Sequence, residues 1–256
     1  MTADVLVPTS PSEAATLFGA GDGVTVFAGG TILLPEIAAG RLRPERALML
    51  HNAGLDTISD DGGRVVIGAM VPVSALVESG EPLLADAAAH LADNEVRRSA
   101  TLGGNLCASA ADDAQRGDLG GPLIALGAQV TSTGAGGKTT VPVEDFLAGD
   151  RSSRLVLSVS YDRADRRSAG AGLRRRHAHS YSIATVAVCA RGSELRVAVT
   201  GVGPTAVRCR TVEQTRDPDD VLQDVTPVDD AVASAAYRQT VLPKLVREAL
   251  DQLEQA

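Results

Sequence analysis

Apolar positions along the chain come in short runs whose spacing changes from segment to segment. Val24-Thr25-Val26-Phe27 is a β-branched and aromatic run suited to a buried strand, and Ala47-Leu48-Met49-Leu50 is another. Between them, Ala28-Gly29-Gly30-Thr31 leads into Ile32-Leu33-Leu34-Pro35-Glu36-Ile37-Ala38-Ala39 before Gly40, the pattern of a glycine turn followed by a helix. Upstream, Ser10-Pro11-Ser12-Glu13 is a capping box with proline at the first helical position. The helix it opens runs through Ala14, Ala15, Leu17 and Phe18 and stops at Gly19, Gly21 and Gly23. The opening segment therefore predicts a βαβ-like unit.

From about Asp56 the pattern changes. Asp60-Asp61-Gly62-Gly63 predicts a turn before the strand Val65-Val66-Ile67. Ser74 is placed to cap a short helix, and the alanine-rich stretch from Glu81 to Asp93 predicts another. Residues 94–114 are small, polar and glycine-bearing and are expected to form a long loop. Pro122 to Leu126 predicts a helical turn, and Gln129-Val130-Thr131 and Thr139-Thr140-Val141 flank a glycine-rich hairpin turn. The charge-dense stretch from Asp162 to Arg176 is expected to be a solvated connector and a domain boundary. Ile183 to Ala190 and Glu194 to Thr200 predict a hairpin around Arg191-Gly192-Ser193. Asp229 or Asp230 is expected to cap a C-terminal helix running to Leu253, broken or kinked at Pro243. This order of elements is mixed α+β, without the regular alternation of a doubly wound sheet.

Composition narrows the function classes. The 256 residues carry 24 Lys plus Arg against 32 Asp plus Glu, a formal charge of −8, with no Trp, three Phe and three Tyr. That balance argues against nucleic-acid binding, which needs a basic surface and often aromatic stacking platforms. No apolar run approaches a membrane span, the start has no basic and apolar leader pattern, and Cys107, Cys189 and Cys209 form no metal-ligand or disulfide spacing. A cytoplasmic setting is the expectation.

Two glycine segments carry the chemistry. Ala28, Gly29, Gly30, Thr31 and Ile32, between a strand and a helix, leave backbone N–H groups available for a pyrophosphate, or simply make a tight turn. The spacing is not G-x-G-x-x-G, which disfavours a Rossmann site. Thr101, Leu102, Gly103, Gly104 and Asn105 offer a second set of donors, or an ordinary polar loop. Asp118 is either an N-cap or an acceptor for a ribose hydroxyl. His177 and His179 share a strand face but lack a third metal ligand nearby, and no Ser/His/Asp nucleophile context or acid/base carboxylate pair stands out.

Taken together, these pieces resemble the FAD-binding medium subunits of molybdenum hydroxylases, the carbon monoxide dehydrogenase and xanthine dehydrogenase family. Val26-Phe27-Ala28-Gly29-Gly30-Thr31 with Leu33-Leu34-Pro35 looks like the family's first flavin loop. Arg97 with Thr101-Leu102-Gly103-Gly104-Asn105-Leu106-Cys107 looks like its second, and Gly117-Asp118-Leu119 with Pro122 to Leu126 looks like the Asp and helix that follow. Val228-Asp229-Asp230, Tyr237-Arg238 and Val246 to Leu250 look like its C-terminal domain. The sequence departs from the family at Ile32, where a polar residue is usual, and in a longer segment from Ala108 to Gly117.

The resemblance implies an α+β fold: a two-subdomain FAD-binding domain of the vanillyl-alcohol-oxidase (PCMH) type over residues 1–165, split near 55, and a small α+β C-terminal domain over 172–256. It implies FAD held by Ala28 to Ile32 and Thr101 to Asn105, with Asp118 at the ribityl region, Arg174 near a flavin carbonyl and Tyr181 close to the ring. It also implies an iron–sulfur small subunit, a large subunit holding the molybdenum cofactor, and an external electron acceptor. The competing readings are a stand-alone FAD-dependent oxidoreductase with His177, His179 or Tyr181 as its base, and a flavin-free scaffold.

Overall fold

The computed structural model describes residues 4–108, 117–163, 165–174 and 182–256. The chain opens with β1 (Asp4–Leu6), α1 (Pro11–Phe18), β2 (Val24–Phe27), α2 (Leu33–Ala38) and β3 (Arg46–Met49). The three strands form a parallel sheet in the order β1-β3-β2, with Leu48 opposite both Leu6 and Val26. Parallel neighbours need crossover connections, and the two helices supply them. The Ser10 hydroxyl accepts from the Glu13 N–H at 3.2 Å, as a capping box requires. Glu13 reaches back one residue further than expected, to the N–H and hydroxyl of Thr9 at 2.8 and 2.7 Å.

A second sheet is antiparallel: β4 (Ile58–Asp61), β5 (Arg64–Gly68), β6 (Gln129–Thr133), β7 (Thr139–Pro142) and β8 (Leu155–Asp162), in the order β4-β5-β8-β6-β7. Between β5 and β6 the chain inserts α3 (Val73–Leu76), α4 (Pro82–Ala89), α5 (Asn94–Ser99), α6 (Leu102–Cys107) and α7 (Gly120–Ala125); α8 (Val143–Ala148) precedes β8. One core lies between this sheet and the helices, built around Ile67, Leu76, Leu84, Leu102, Leu123 and Val159. A smaller core joins the parallel sheet to β8 through Phe18, Leu48, Leu55 and Leu155.

The third sheet contains β9 (Arg167–Arg174), β10 (Ser182–Arg191), β11 (Glu194–Thr200) and β12 (Val207–Arg208), in the order β12-β11-β10-β9, followed by α9 (Arg210–Thr215), α10 (Val221–Asp224) and α11 (Ala235–Gln255). Both of its faces are covered. Ala184, Val186 and Val188 point to the α11 side, whereas Ala187 and Cys189 point to the core shared with the second sheet. Burial on both sides explains why the β10 run is almost continuously apolar and does not alternate with polar residues. Each fully buried Leu or Val in these cores contributes about 1.5–3 kcal/mol relative to exposure.

Several expectations are corrected. Residues 94–107 of the expected loop form α5 and α6, because Asp93 accepts from the Val96 N–H at 2.8 Å and Thr101 accepts from the Gly104 N–H at 3.2 Å. The two glycines inside α6 disguise it as a loop, and residues 109–116 of that stretch lie outside those described. The expected connector from Asp162 to Arg176 contains strand β9, paired with β10 along its length through the small residues Ser168 to Gly172. Its charges crowd the strand's ends, which hides the period. Ser74 caps nothing: α3 is entered at Pro72, anchored by the Val73 N–H on Ala100 O at 2.8 Å. At α11 the N-cap is Ser234, with Asp229 accepting from the Ala235 N–H at 2.7 Å, and the helix continues through Pro243 without a break.

Arg238 is the largest fully buried side chain, at 1% exposure. It donates to the carbonyls of Ile183, Val228 and Ala233 at 3.0, 2.6 and 2.9 Å and pairs with Asp230 at 2.7 Å. It thereby ties the start of β10, the 228–233 loop and α11 to one point. Arg238→Ala removes the donor to the Ile183 and Val228 carbonyls and the cation that pairs with the half-buried Asp230, so the unfolding free energy should fall by about 3–5 kcal/mol. Urea unfolding followed by far-UV circular dichroism checks this; a loss below about 1 kcal/mol would show that water replaces the guanidinium at little cost.

Candidate functional site

Ala28 to Ile32 connect the C-terminal end of β2 to α2. Gly30 sits at φ +72°, in the left-handed region that a side chain strains. Gly29 faces the backbone of Ser99 and Ala100 so closely that a Cβ there would overlap the Ser99 carbonyl. Gly30 O accepts from the Leu34 N–H at 2.9 Å, which starts α2, whereas the N–H groups of Gly30, Thr31 and Ile32 have no acceptor among the described residues. These five positions have Ala28, Gly29, Gly30, Thr31 and Ile32 only half-buried. The turn therefore presents three adjacent unpaired backbone donors at half-buried positions, an arrangement suited to an anionic oxygen.

The second glycine segment lies against the first. An added Cβ on Gly104 would stand 3.9 Å from Ala28 Cβ. Its donors, however, are committed internally. Leu102 N–H goes to Val71 O at 3.0 Å, Gly103 N–H to Ala69 O at 2.8 Å, and Asn105 N–H to Thr101 O at 2.9 Å. The Gly104 N–H is held by Thr101 Oγ1. A Cβ on Gly103 would come within 2.8 Å of Ala69 Cβ, so this glycine lets α6 press onto the chain leaving β5. Arg97, on α5, donates to the carbonyls of Leu91 and Ala92 at 3.0 and 2.8 Å and fixes the link from α4.

Asn105 carries the arrangement onward. Its Oδ1 accepts from the Leu119 N–H at 3.0 Å, which pins the turn bearing Asp118. Asp118 is not a helix cap: α7 begins after Leu119 with no side-chain cap bond. The carboxyl lines a cleft with Arg174, Asp86, Ser182 and Thr185, between α4, α7 and the β9–β10 pair. Burial pushes its pKa up to about 6 against the opposing pull of Arg174. Arg174 folds back over Gly172, where an added Cβ would stand 3.2 Å from its guanidinium, and it pairs with Asp86 at 3.8 Å. Its Nε is buried without a hydrogen-bond partner among the described residues. A buried donor costs free energy until an acceptor meets it, and Arg174 is among the residues that line the cleft.

The structure thus brings Ala28 to Ile32 and Thr101 to Asn105 together, and links them through Asn105 to Asp118 beside Arg174. Tyr181, His177 and His179 lie outside the described residues. Asp86 and Gly172 were missed in the sequence; nothing in their local pattern marks them, because their roles come from the packing of α4 on β9. Among the described residues no group of three His, Cys, Asp or Glu is placed to hold a metal, and no helix is long and apolar enough to cross a membrane.

The free N–H groups of one turn and the orphaned Arg174 donor in the adjoining cleft fit an elongated ligand with an anionic middle and a polar ring, as FAD has. Comparisons with known proteins agree. Residues 1–160 match the family model described as the FAD binding domain in molybdopterin dehydrogenase. The chain is 31% identical over 222 residues to the carbon monoxide dehydrogenase medium chain of Hydrogenophaga pseudoflava, covering 78% of this chain and 75% of that one. It is 28% identical over 278 residues to the 6-hydroxypseudooxynicotine dehydrogenase complex subunit alpha of Paenarthrobacter nicotinovorans, covering 96% and 93%. A solved structure of the Hydrogenophaga pseudoflava carbon monoxide dehydrogenase lacking the Mo-pyranopterin moiety superposes with a TM-score of 0.83 at 26% identity, covering 98% of this chain and 96% of that one.

Two outcomes follow for this site. Burial raises the Cys107 thiol to about 11, which keeps it protonated and poorly nucleophilic at neutral pH. Acid precipitation should therefore release all flavin into the supernatant, and yellow colour retained by the pellet would contradict noncovalent binding. The folded pKa of Asp118 lies above its ordinary value of 3.8, so the folded protein binds the extra proton more tightly. The contribution of Asp118 to stability is then fully present below about pH 4 and lost as pH rises to about 6. Asp118→Asn should gain on the wild type across that window, by at most about 3 kcal/mol, in flavin-free thermal unfolding; a difference that does not change with pH would contradict the assignment. With the matched family model, the similar medium chains and the donor-lined cleft, the chain belongs to the FAD-binding family of molybdopterin dehydrogenases, as an FAD-dependent oxidoreductase subunit.

Proposed function

We propose that this chain relays electrons within a heteromeric molybdenum hydroxylase, receiving them from an iron–sulfur small subunit and passing them to an external acceptor. A large subunit would hold the molybdenum cofactor and carry out substrate hydroxylation, and the assembly would work in the cytoplasm. The observation that carries this reading is a cradle of backbone donors within the residues that match the FAD binding domain in molybdopterin dehydrogenase. FAD, when bound, supplies the redox chemistry, accepting and releasing electrons singly or in pairs. The protein's task is to hold it, orient it and set its charge environment.

In this reading Gly30, Thr31 and Ile32 donate their free N–H groups to the diphosphate, and Ala28 and Gly29 let that turn lie flat on the Ser99–Ala100 backbone. Thr101, Leu102, Gly103, Gly104 and Asn105 form the opposite wall, with the N–H groups of Leu102 to Asn105 spent on holding α6 in place. Asp118 accepts from ribityl hydroxyls, and Arg174 gives its unpartnered Nε–H to an acceptor on the ring, where its charge favours added negative charge. Asp86 and Asp118 flank that guanidinium and offset its charge. Tyr181 would lie beside the ring. Residues 1–165 would form the FAD-binding unit and 172–256 the C-terminal unit that closes the cleft with β9 and β10.

The isolated, flavin-loaded chain should be reduced by dithionite yet show no hydroxylation of organic substrates. Added to its iron–sulfur and molybdenum partners, it should restore turnover with the acceptor. Rapid anaerobic bleaching of the lone chain by an organic substrate would favour a stand-alone flavoenzyme. Gly30→Val tests the cradle separately: its Cβ meets the Leu34 side chain at 2.9 Å, and Leu34 is 57% exposed and free to yield. The variant should fold and lose most of its flavin. Full occupancy would show that the turn only connects β2 to α2.

A further inference from the structure

The cleft between α4, α7 and the β9–β10 pair holds an uneven set of charges. Asp86 on α4, Asp118 ahead of α7 and Arg174 at the end of β9 all line it, so two carboxylates share one guanidinium. Arg174 stands 3.8 Å from the Asp86 carboxylate, and its charge pulls on Asp118 against the effect of burial. The rest of the lining among the described residues is uncharged: Ser182 and Thr185 on β10, with Leu83, Pro122 and Val186 among its apolar members. Asn105 on α6 holds the Asp118 turn with a neutral amide, whose oxygen accepts from the Leu119 N–H. One guanidinium against two carboxylates leaves the described lining with a formal charge of −1.

The three charged groups differ in how they respond when more negative charge arrives. A guanidinium stays protonated at any pH a folded protein meets, so Arg174 neither gains nor releases a proton. The Asp86 side chain is 59% exposed and also contacts His90 Nδ1 at 3.2 Å. Water screens a charge in that position, so a charge added across the cleft acts on it weakly. Asp118 is the desolvated member, with burial already pushing its pKa up to about 6 and Arg174 as the opposing cation. Negative charge added beside a buried carboxylate favours its neutral form further. Among the described lining, Asp118 is thus the group placed to change its charge in step with the contents of the cleft.

We propose that Asp118 takes up one proton when the flavin of this chain is reduced, and so balances the charge that reduction brings into the cleft. The inference rests on the proposed placement of FAD between the glycine turn and Arg174. Two electrons come from the iron–sulfur partner, or from an electrode in its absence. One proton goes to the ring, and a second converts the Asp118 carboxylate to its acid. The ring's gain of one negative charge and the carboxylate's loss of one cancel, so the surroundings of Arg174 keep their formal charge. On reoxidation by the external acceptor, both electrons and both protons leave. The neutral acid still has a carbonyl oxygen to accept from a ribityl hydroxyl, so the uptake does not release the cofactor.

Electrode-driven infrared difference spectroscopy on the full flavin-loaded chain near neutral pH tests this. The reduced-minus-oxidised spectrum of the wild type should show the C=O band of a newly formed carboxylic acid. That band should vanish in Asp118→Asn and persist in Asp86→Asn. Asp118→Glu keeps a carboxyl group and decides the matter even if Asp118→Asn holds flavin poorly: its band should persist at a displaced frequency. The two-electron midpoint potential should also fall more steeply with pH in the wild type than in Asp118→Asn just above pH 6, where the oxidised chain keeps Asp118 ionised. The difference is a tenfold change in the oxidised-to-reduced ratio per pH unit, about 30 mV. A side chain that only shapes the cleft would move the potential without changing this slope. No acid band in the wild type, an equal band in Asp118→Asn, an undisplaced one in Asp118→Glu, or equal slopes would overturn the inference while flavin binding stands. A chain that takes up no flavin would instead contradict the placement on which the inference rests.

Discussion

The site depends on backbone meeting backbone at a distance that only missing side chains allow. Gly29 lies on the Ser99–Ala100 peptide, and Gly103 lies on Ala69. These contacts bring the β2–α2 turn and the start of α6 side by side. The N–H groups of one turn then remain uncovered while those of the other are consumed in holding it. A Cβ at either glycine would separate the two walls, so the cradle is a consequence of close packing as much as of free donors.

Much of this was legible in the sequence, for identifiable reasons. The parallel unit around Val24–Phe27 and the hairpins at Gly62-Gly63 and Gly192-Ser193 follow strong local rules of apolar period and turn chemistry, and the structure contains all of them. The glycine segments were visible as unusual, and their resemblance to flavin loops named the family. What the sequence hid was the means. Helix α6 carries Gly103 and Gly104 in its first turn, against helix propensity, because tertiary contact with Ala69 outweighs an intrinsic cost of about 1 kcal/mol per glycine. Strand β9 is built from serine, alanine and glycine between charged ends, and its identity comes from pairing with β10. Asp86 acts through Arg174, far away in sequence, which no local pattern reveals.

The same logic accounts for the shape of the function. A chain that holds a redox cofactor for partners needs rigid walls, a controlled charge and an opening. The C-terminal sheet provides rigidity by being packed on both faces, with α7 seated against it through Gly121, whose N–H meets Thr200 Oγ1 at 3.1 Å. Charge is set where Asp118 and Asp86 flank Arg174.

In the proposed site the first glycine turn offers its donors to FAD, whereas Leu102 to Asn105 of the second have already spent theirs. Residue-resolved amide hydrogen exchange on the flavin-free and flavin-loaded chain tests this most directly. The account predicts that the amides of Gly30, Thr31 and Ile32 exchange quickly without FAD and become protected with it, while those of Gly103 and Asn105 are protected in both states. Unchanged exchange at residues 30–32, with protection gained only at residues 102–105, would contradict it.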